Sequence, residues 1–374
     1  MKSTVPFIAT LLALTSFLRA ADGPIKVGEY ASLTGKEATF GQSSHKGIVM
    51  AFEEINAAGG VLGRKLELVS EDNQTKPGES ATVAKKLITR DKVVALIGEV
   101  SSGRSLEAGP IAQAAKIPMI APAATNPKVT EIGNYVFRVC FIDPFQGTVM
   151  AKFAQTDLKA KKVAIISSVS NAYSVGLAKF FRETFTKGGG TVAVEQKYSE
   201  GDKDFRAQLT AVKAAGVDAV FVPGYYTESA LIVRQARDLG IKVPFIGGDG
   251  WESDKLLEIG GDALNGCFYS THFSPENKDA GVTAFVKKFK ARWNNENPDA
   301  FAALGYDAAY VLADAIKRAG TTDGAKLRDA LAATKDFAGA SGITTIDKDR
   351  NATKGATIIA IANGKLAFNK TVAP

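Results

Sequence analysis

Apolar positions along the chain alternate between two rhythms. "IKVGEYA" (25–31) is a short run of strand-forming residues, and "SHKGIVMAFEEINAAGG" (44–60) then sets Ile48, Ala51, Phe52 and Ile55 at helical spacing before stopping on Gly59-Gly60. The sequence goes on as "KLELVSED" (strand), "GESATVAKKLITRD" (helix, with Val83, Leu87 and Ile88 inward), "VVALIGE" (strand), "SLEAGPIAQAAK" (helix) and "IPMIA" (strand). Such alternation predicts βαβ units and a parallel sheet covered on both faces. It pauses at "YVFRVCFIDPF" (135–145) and restarts, helix first, from "GTVMAKFAQTDL" through "KVAIISS", "SVGLAKFFRETFTKGGG", "TVAVEQKY", "DFRAQLTAVKAAG", "DAVFVPG" and "TESALIVRQARDLG" to "VPFIGGDG". Two similar α/β halves in succession are the main organisational signal. After "GCFYSTHF" come helical segments around Val282–Asn294 and Tyr306–Arg318, then the short strands "GITTID" and "ATIIAIANGKLAF". The late helices read as additions to the first half and the final strands as additions to the second.

In open parallel sheets, ligands sit beyond the carboxyl ends of the strands. There the chain carries "GEVSSGRS" (98–105), "APAATNP" (121–127), "SSVSNAYS" (167–174), "PGYYTES" (223–229) and "GGDGWES" (247–253). In the second of these, Pro122 and Pro127 exclude regular structure between them, so Ala123, Ala124 and Thr125 are expected on an exposed, stiff loop whose hydroxyl suits a small polar ligand. Ser102 precedes a helix whose N-terminus favours an anion such as a carboxylate; alternatively Ser101, Ser102 or Ser105 only caps that helix. Thr125 has a similar alternative as a turn residue. Asp249, between glycines, either pairs with an ammonium group or is an Asp-Gly turn. Tyr173, Tyr225 and Tyr226 read as aromatics at loop tips, suited to a ligand wall.

Composition narrows the classes. The 374 residues are 45% hydrophobic and 23% charged, enough for two cores of domain size. The formal charge of +7 is scattered among acids, with "KAKK" (159–162) the densest cluster, which argues against a nucleic-acid partner. Cys140 and Cys267 lack metal-ligand spacing; in an oxidising compartment they either bridge or stay as small buried thiols. His45 and His272 stand outside any nucleophile motif, and no G-x-G-x-x-G, phosphate-binding loop or metal cluster occurs, so neither catalysis nor a cofactor nor a metal is expected. The opening "MKSTVPFIATLLALTSFLRAADG" has the order of a signal peptide, with cleavage near Ala20 and no cysteine there for a lipid anchor. No later apolar run reaches membrane-spanning length, and the mature chain is expected to be soluble outside the inner membrane.

From this signal sequence through "GEYASLTGKEATFGQSSHKGIVMAFEEINAAGGVLGRKLELVSED", "ALIGEVSSGRSLEAGPIAQAAKIPMIAPAATNP" and "FRVCFIDPFQG", the chain closely resembles the bacterial periplasmic leucine/isoleucine/valine-binding proteins, the type I solute-binding components of ABC transporters. The resemblance covers essentially the whole mature chain. It implies an α/β fold of two Rossmann-like lobes joined by three hinge crossovers, divided here as 24–143 with 273–350 and 144–272 with 351–374, after a signal peptide at 1–20. It further implies a non-enzymatic, monomeric periplasmic protein, not lipid-anchored, that passes a small aliphatic amino acid to an inner-membrane ABC permease. A neutral amide or urea ligand, or a sensor role, is the alternative. By position, Ser102, Ala123 and Thr125 match residues that hold the ligand's α-carboxylate and nearby amine. Tyr173 and Tyr225 match second-lobe aromatics, Asp249 stands where the family has an acid for the α-ammonium, more often Glu, and Phe40 flanks the side-chain pocket. The chain departs from the family in lacking a first-lobe cysteine pair and in carrying Glu99 where a neutral or imidazole side chain is common.

Overall fold

β1 (Ile25–Ala31) leads through helix α1 (Ala38–Ala57) to the parallel strand β2 (Leu66–Asp72). The same step repeats through α2 (Glu79–Thr89), β3 (Ala95–Ile97), α3 (Ser102–Ala115), β4 (Met119–Ala121), α4 (Lys128–Glu131) and β5 (Val136–Arg138). These strands form one parallel sheet in the order β2-β1-β3-β4-β5. β3, β4 and β5 are buried at every residue, which is why "ALI" and "MIA" read as unbroken apolar runs instead of alternating. The computed structural model of the protein describes residues 23–374, so the expected signal peptide at 1–20 lies outside the described residues. No helix of the described residues is long and apolar enough to cross a membrane.

The second half runs α5 (Asp143–Thr156), β6 (Lys162–Ser168), α6 (Ala172–Lys187), β7 (Thr191–Tyr198), α7 (Arg206–Ala215), β8 (Ala219–Phe221), α8 (Tyr226–Asp238), β9 (Phe245–Gly247), α9 (Asp254–Gly260) and β10 (Cys267–Thr271). Its parallel strands lie in the order β7-β6-β8-β9-β10, the same order as the first sheet when counted within each half. After β10 the chain returns to the first sheet's side as α10 (Ala280–Arg292), α11 (Ala300–Ala319) and α12 (Gly324–Ala332), with α10 and α11 against α1. A small sheet of β11 (Phe337–Gly339), β12 (Gly342–Ile346) and β13 (Ala352–Thr353) follows. β14 (Ala356–Ala362) and β15 (Lys365–Val372) then extend the second sheet as an antiparallel hairpin beside β10. The chain thus passes between the two sheets three times, joining two lobes. The hairpin turn is Asn363-Gly364, both at positive φ, the pair of residues that best tolerates it.

α1 and α11 cross closely because glycines face each other: a Cβ on Gly47 would overlap the Ala302 carbonyl, and one on Gly305 would overlap the Ser44 carbonyl. This contact brings Phe40, near the start of α1, within 4.9 Å (ring centroids) of Phe301 at the start of α11. Cys140 and Cys267 are both free and buried, so the bridge considered from the sequence is not formed. Each sulfur has its own surroundings: Cys140 Sγ lies 3.6 Å from the Ala124 carbonyl and Cys267 Sγ 3.7 Å from the Arg237 guanidinium. Burial pushes the two thiols up to about 12 and about 11.

Candidate ligand site between the lobes

In each sheet the strand order reverses beside its first strand, between β1 and β3 and between β6 and β8. Such a reversal leaves a crevice at the carboxyl ends of the strands. The loops at those two crevices face one another around a small cavity, about 200 Å³ of non-atom space with its open mouth included. Phe40, Val100, Ser102, Ala123, Thr125 and Phe301 line it from the first lobe, and Tyr173, Tyr225, Asp249 and Gly250 from the second. All seven residues expected at a site from the sequence are brought together there. Tyr226 is not among them; its hydroxyl donates to the Lys36 carbonyl across the lobes at 2.6 Å.

The first-lobe wall is held from below. The segment between Pro122 and Pro127 is buried, with Thr125 only 1% exposed, and is not the exposed loop expected from its prolines. The reason is Arg138, fully buried on β5, whose guanidinium donates to the carbonyls of Ala124 and, at 2.9 Å, Asn126. The helix-capping alternative does not describe the serines. Ser101 is the N-cap residue of α3 but makes no side-chain cap bond; its hydroxyl shares a 2.8 Å hydrogen bond with the Tyr225 hydroxyl of the other lobe. Ser102 Oγ accepts from the Asn126 N–H at 3.2 Å, tying α3 to the Thr125 loop. The first-turn amides of α3 have no carbonyl partner inside the helix, and that end carries the positive dipole. Thr125 Oγ1 is buried with no close hydrogen-bond partner, though it lies near enough to the Asp143 carboxyl to favour that group's charged form. Glu99 does not line the cavity. It folds under the loop and accepts from Ser32 N–H, Ser32 Oγ, Asn73 Nδ2 and Ser101 N–H at 2.6–2.9 Å.

The second-lobe wall carries the charge. Asp249 begins a short turn after β9 and is 4% exposed. From the sequence it reads as a carboxylate without partners; in the fold it accepts from Gln146 Nε2 at 2.9 Å and bonds His272 Nε2 at 3.1 Å. Burial lowers the His272 pKa while Asp249 pulls it the other way, and a neutral ring donating from Nε2 satisfies the carboxylate without neutralising it. His272 is therefore buried beside the site, stacked on Phe141 at 3.7 Å, and holds Asp249 in place. The tyrosines are equally far from being loop tips. Tyr173 lies in the first turn of α6, behind the Asn171 N-cap, is 2% exposed and stacks on Tyr225 at 5.5 Å. Its hydroxyl accepts from the Gly250 N–H at 3.1 Å. The glycines beside Asp249 permit this approach: a Cβ on Gly248 would strike the Tyr173 hydroxyl, and one on Gly250 the Gly224 carbonyl at 2.6 Å.

Val100, Gly250 and Phe301 line the cavity without having been singled out from sequence. Val100 and Gly250 lie inside the strand-end loops already marked. Phe301 precedes the helical segment read from Tyr306. Asp299, which accepts from the Ala302 N–H at 2.8 Å as N-cap, was the signal that α11 begins earlier. Asp143, at the first crossing, is fully buried with both carboxyl oxygens unpartnered. Burial, opposed by the nearby Thr125 hydroxyl and reinforced by the Asp249 charge, pushes its pKa up to about 8. Among the described residues, no group of three or more His, Cys, Asp or Glu is placed to hold a metal.

Further bonds across the lobes surround the cavity. Lys36 pairs with Glu200 at 3.0 Å, Asn126 Nδ2 donates to the Ala172 carbonyl at 2.7 Å, and Ser253 Oγ bonds Thr39 Oγ1 at 3.1 Å. The two lobes are closed on each other.

Comparison with known proteins agrees with this geometry. A family model described as periplasmic binding protein matches residues 24–365. The leucine-, isoleucine-, valine-, threonine- and alanine-binding protein of Pseudomonas aeruginosa is 34% identical over 330 residues, 87% of each chain. Among solved structures, the leucine-binding protein LivK of Thermotoga maritima superposes with a TM-score of 0.90 at 42% identity, over 94% of this chain and 99% of the other. The branched-chain amino acid transporter substrate-binding protein LivJ of Streptococcus pneumoniae, solved with isoleucine, has a TM-score of 0.89 at 36% identity, over 94% and 100%. With matched sequence, matched fold and a cavity at the strand ends of both lobes, the chain belongs to the periplasmic binding protein family, among the leucine/isoleucine/valine-binding proteins of ABC transporters.

Proposed function

We propose that the protein captures a small aliphatic α-amino acid, of the branched-chain type, between its lobes and delivers it to an inner-membrane ABC permease. The observation that carries this reading is the polarity of the inner cavity. A helix N-terminus and the unpartnered Thr125 hydroxyl stand on one wall, and Asp249, satisfied only by neutral donors, stands on the other. A zwitterion placed with its carboxylate at α3 and its ammonium at Asp249 supplies the missing partner of each. Phe40, Phe301, Val100 and Ala123 leave an apolar wall for the side chain. The isoleucine named for the LivJ structure and the amino acids named for the Pseudomonas protein are ligands of this kind.

The mechanism is hinge closure. The first lobe holds the zwitterion, and closure about the crossings near residues 143, 272 and 351 adds Tyr173, Tyr225 and Asp249. Ser101–Tyr225, Tyr226–Lys36 and Lys36–Glu200 then latch the lobes, so ligand binding and closure share one free-energy change. No bond is made or broken. The family supports a periplasmic location; export by way of residues 1–20 and action as a monomer belong to the same proposal.

Calorimetry on the mature chain tests this. Leucine, isoleucine or valine should bind with one site per chain, and the matching deaminated acid and amide should bind far more weakly. Equal affinity for the amide and the amino acid would overturn the zwitterion reading in favour of a neutral ligand.

A further inference from the structure

His272 follows β10 at the second crossing, with its ring buried and stacked on Phe141 of the first crossing. Its two nitrogens have unequal surroundings. Nε2 lies 3.1 Å from Asp249 Oδ2, whereas Nδ1 is buried with no hydrogen-bond partner among the described residues. The other Asp249 oxygen takes the Gln146 amide at 2.9 Å.

This difference fixes where the ring carries its proton. With Asp249 ionised, the hydrogen of the Nε2–Asp249 bond comes from the ring. A second proton, on Nδ1, would be a buried N–H without an acceptor, which is costly. Moving the shared proton to Asp249 and putting the ring's own on Nδ1 buries the same orphan donor. The closed chain therefore holds a neutral ring with its hydrogen on Nε2. The charged groups around it act in both directions. Asp249 favours the imidazolium, while burial and Lys354, itself buried at the third crossing against Asp307 at 3.3 Å, oppose it, and burial dominates. From the first crossing, Asp143 and the Cys140 thiol both stand near enough to Asp249 to feel its charge, and both keep their protons at neutral pH. The Tyr173 hydroxyl, also beside Asp249, is neutral as well. Asp249 is left with one charge that either of two cations can take, the imidazolium of His272 or the ammonium of an amino acid.

We propose, on the amino-acid reading above, that these two cations compete: the site accepts the ligand's ammonium only with the His272 ring neutral, and at acid pH a proton leaves His272 when the amino acid binds. In the empty chain Asp249 stabilises an added proton on the ring. Once the ammonium is in place that stabilisation is spent, and an imidazolium would face a second cation nearby. The ring thus binds its proton less tightly in the loaded chain than in the empty one. By linkage, amino-acid affinity falls as pH falls through the range in which the empty chain's ring protonates. His272 acts through Asp249 and does not line the cavity, so it is a positioning residue that makes capture sensitive to acid.

The chain has two histidines, so NMR separates their titrations, and His45→Gln assigns the signal of His45, which bonds Glu29 at 2.6 Å. In the leucine-loaded mature chain at pH 6, His272 should be neutral and protonated on Nε2, and its pKa should lie below that of the leucine-free chain. Calorimetry of leucine in two buffers of different ionisation enthalpy should show proton release at pH 5.5, with affinity falling severalfold from pH 7.5 to 5 and by no more than about tenfold per pH unit, the limit for one proton. Asp143→Asn removes the other acid that titrates beside Asp249, and release at pH 5.5 should persist in it. His272→Gln offers an N–H and no titratable proton; it should abolish the release and flatten the acid side of the profile, whatever its affinity at pH 7.5. The proposal is overturned if the loaded ring is charged or carries its proton on Nδ1 at pH 6, if leucine leaves its titration unchanged, or if His272→Gln releases protons as wild type does. If leucine, isoleucine and valine fail to bind at pH 7.5, the proposed function fails, and the coupling is read in the free chain instead. There Asp249→Asn should lower the His272 pKa, and an unchanged value overturns the inference.

Discussion

The first lobe faces the inner cavity with neutral hydroxyls and a helix N-terminus, whereas the second faces it with a carboxylate and two tyrosines, although both hang these groups from the same strand order. The first-lobe wall is braced within its own lobe by Arg138, Glu99 and the Ser102–Asn126 bond. The second-lobe charge is braced by residues from two crossings, Gln146 just after the first and His272 at the second. In the proposed function, the wall for the ligand's carboxylate is thus braced within one lobe, while the wall for its ammonium is anchored at the crossings between the lobes. Under that proposal, first contact falls to the first lobe and commitment to the second.

The largest effect that would break this comparison is at Asp249. Asp249→Asn keeps the shape and an acceptor for Gln146 and removes the charge, so amino-acid affinity should fall by at least about 2 kcal/mol, roughly thirtyfold. The deaminated acid, weak in wild type, should lose little further; an equal loss for both ligands would show that Asp249 acts on the lobe and not on the ammonium. Thr125→Ala comes next. Its hydroxyl makes no close hydrogen bond within the protein, so the loss should be about that of one hydrogen bond to a charged group, about 1.5–3 kcal/mol in calorimetry. Ser102→Ala should cost less than Thr125→Ala, because Ser102 Oγ already accepts from Asn126 N–H. The reverse order would move the anion site towards Ser102.

Smaller effects sharpen the picture. Tyr226→Phe removes a cross-lobe hydrogen bond without touching the cavity, and affinity should drop by about 0.5–1.5 kcal/mol, mainly through faster release. Asp143→Asn separates the two buried acids. With its pKa raised from 3.8 to about 8, Asp143 keeps its proton in the fold while the unfolded chain gives it up above about pH 4. The folded state then binds the extra proton, and stability falls as pH rises between about 4 and 8. Urea melts of Asp143→Asn should show a shallower fall from pH 5.5 to 7.5, by roughly 2.5 kcal/mol, with amino-acid affinity at pH 6 nearly that of wild type. A loss at pH 6 comparable to that of Asp249→Asn would mean that the second wall carries two working charges.

Strand-end loops were legible because both of their signals are local. A buried parallel strand is a short apolar run, and the Pro, Gly and Ser residues after it mark the place where the backbone leaves the sheet. "PAAT" and "GGDGW" therefore pointed to the cavity before any partner was known. The Asn-Gly within "ATIIAIANGKLAF" was an equally local signal, and it divides that stretch into the β14–β15 hairpin. Phe301 was harder. Its contact with Phe40 depends on the Gly47–Gly305 crossing of two helices more than 250 residues apart, and nothing in "DAFAALGYD" distinguishes it from a core position.

The sequence by itself determined the alternating α/β architecture, the position of the loops at the strand ends and the residue types of both walls, since periodicity and turn chemistry act over a few residues. Burial was decided by the tertiary structure. The prolines around Thr125 predict a stiff loop, but only Arg138, brought beneath it by β5, makes that loop an interior wall. Asp249 reads as a lone carboxylate until Gln146, 103 residues away, and His272 reach it. Tyr173 and Tyr225, read as loop tips, form a buried stacked pair, with the Tyr225 hydroxyl bonded to Ser101 of the opposite lobe. Cys140 and Cys267, both beside crossings, were left unbridged because packing gave each sulfur its own neighbours. A side chain's exposure and its partners are set by whichever distant segment covers it, and no local pattern records which segment that will be.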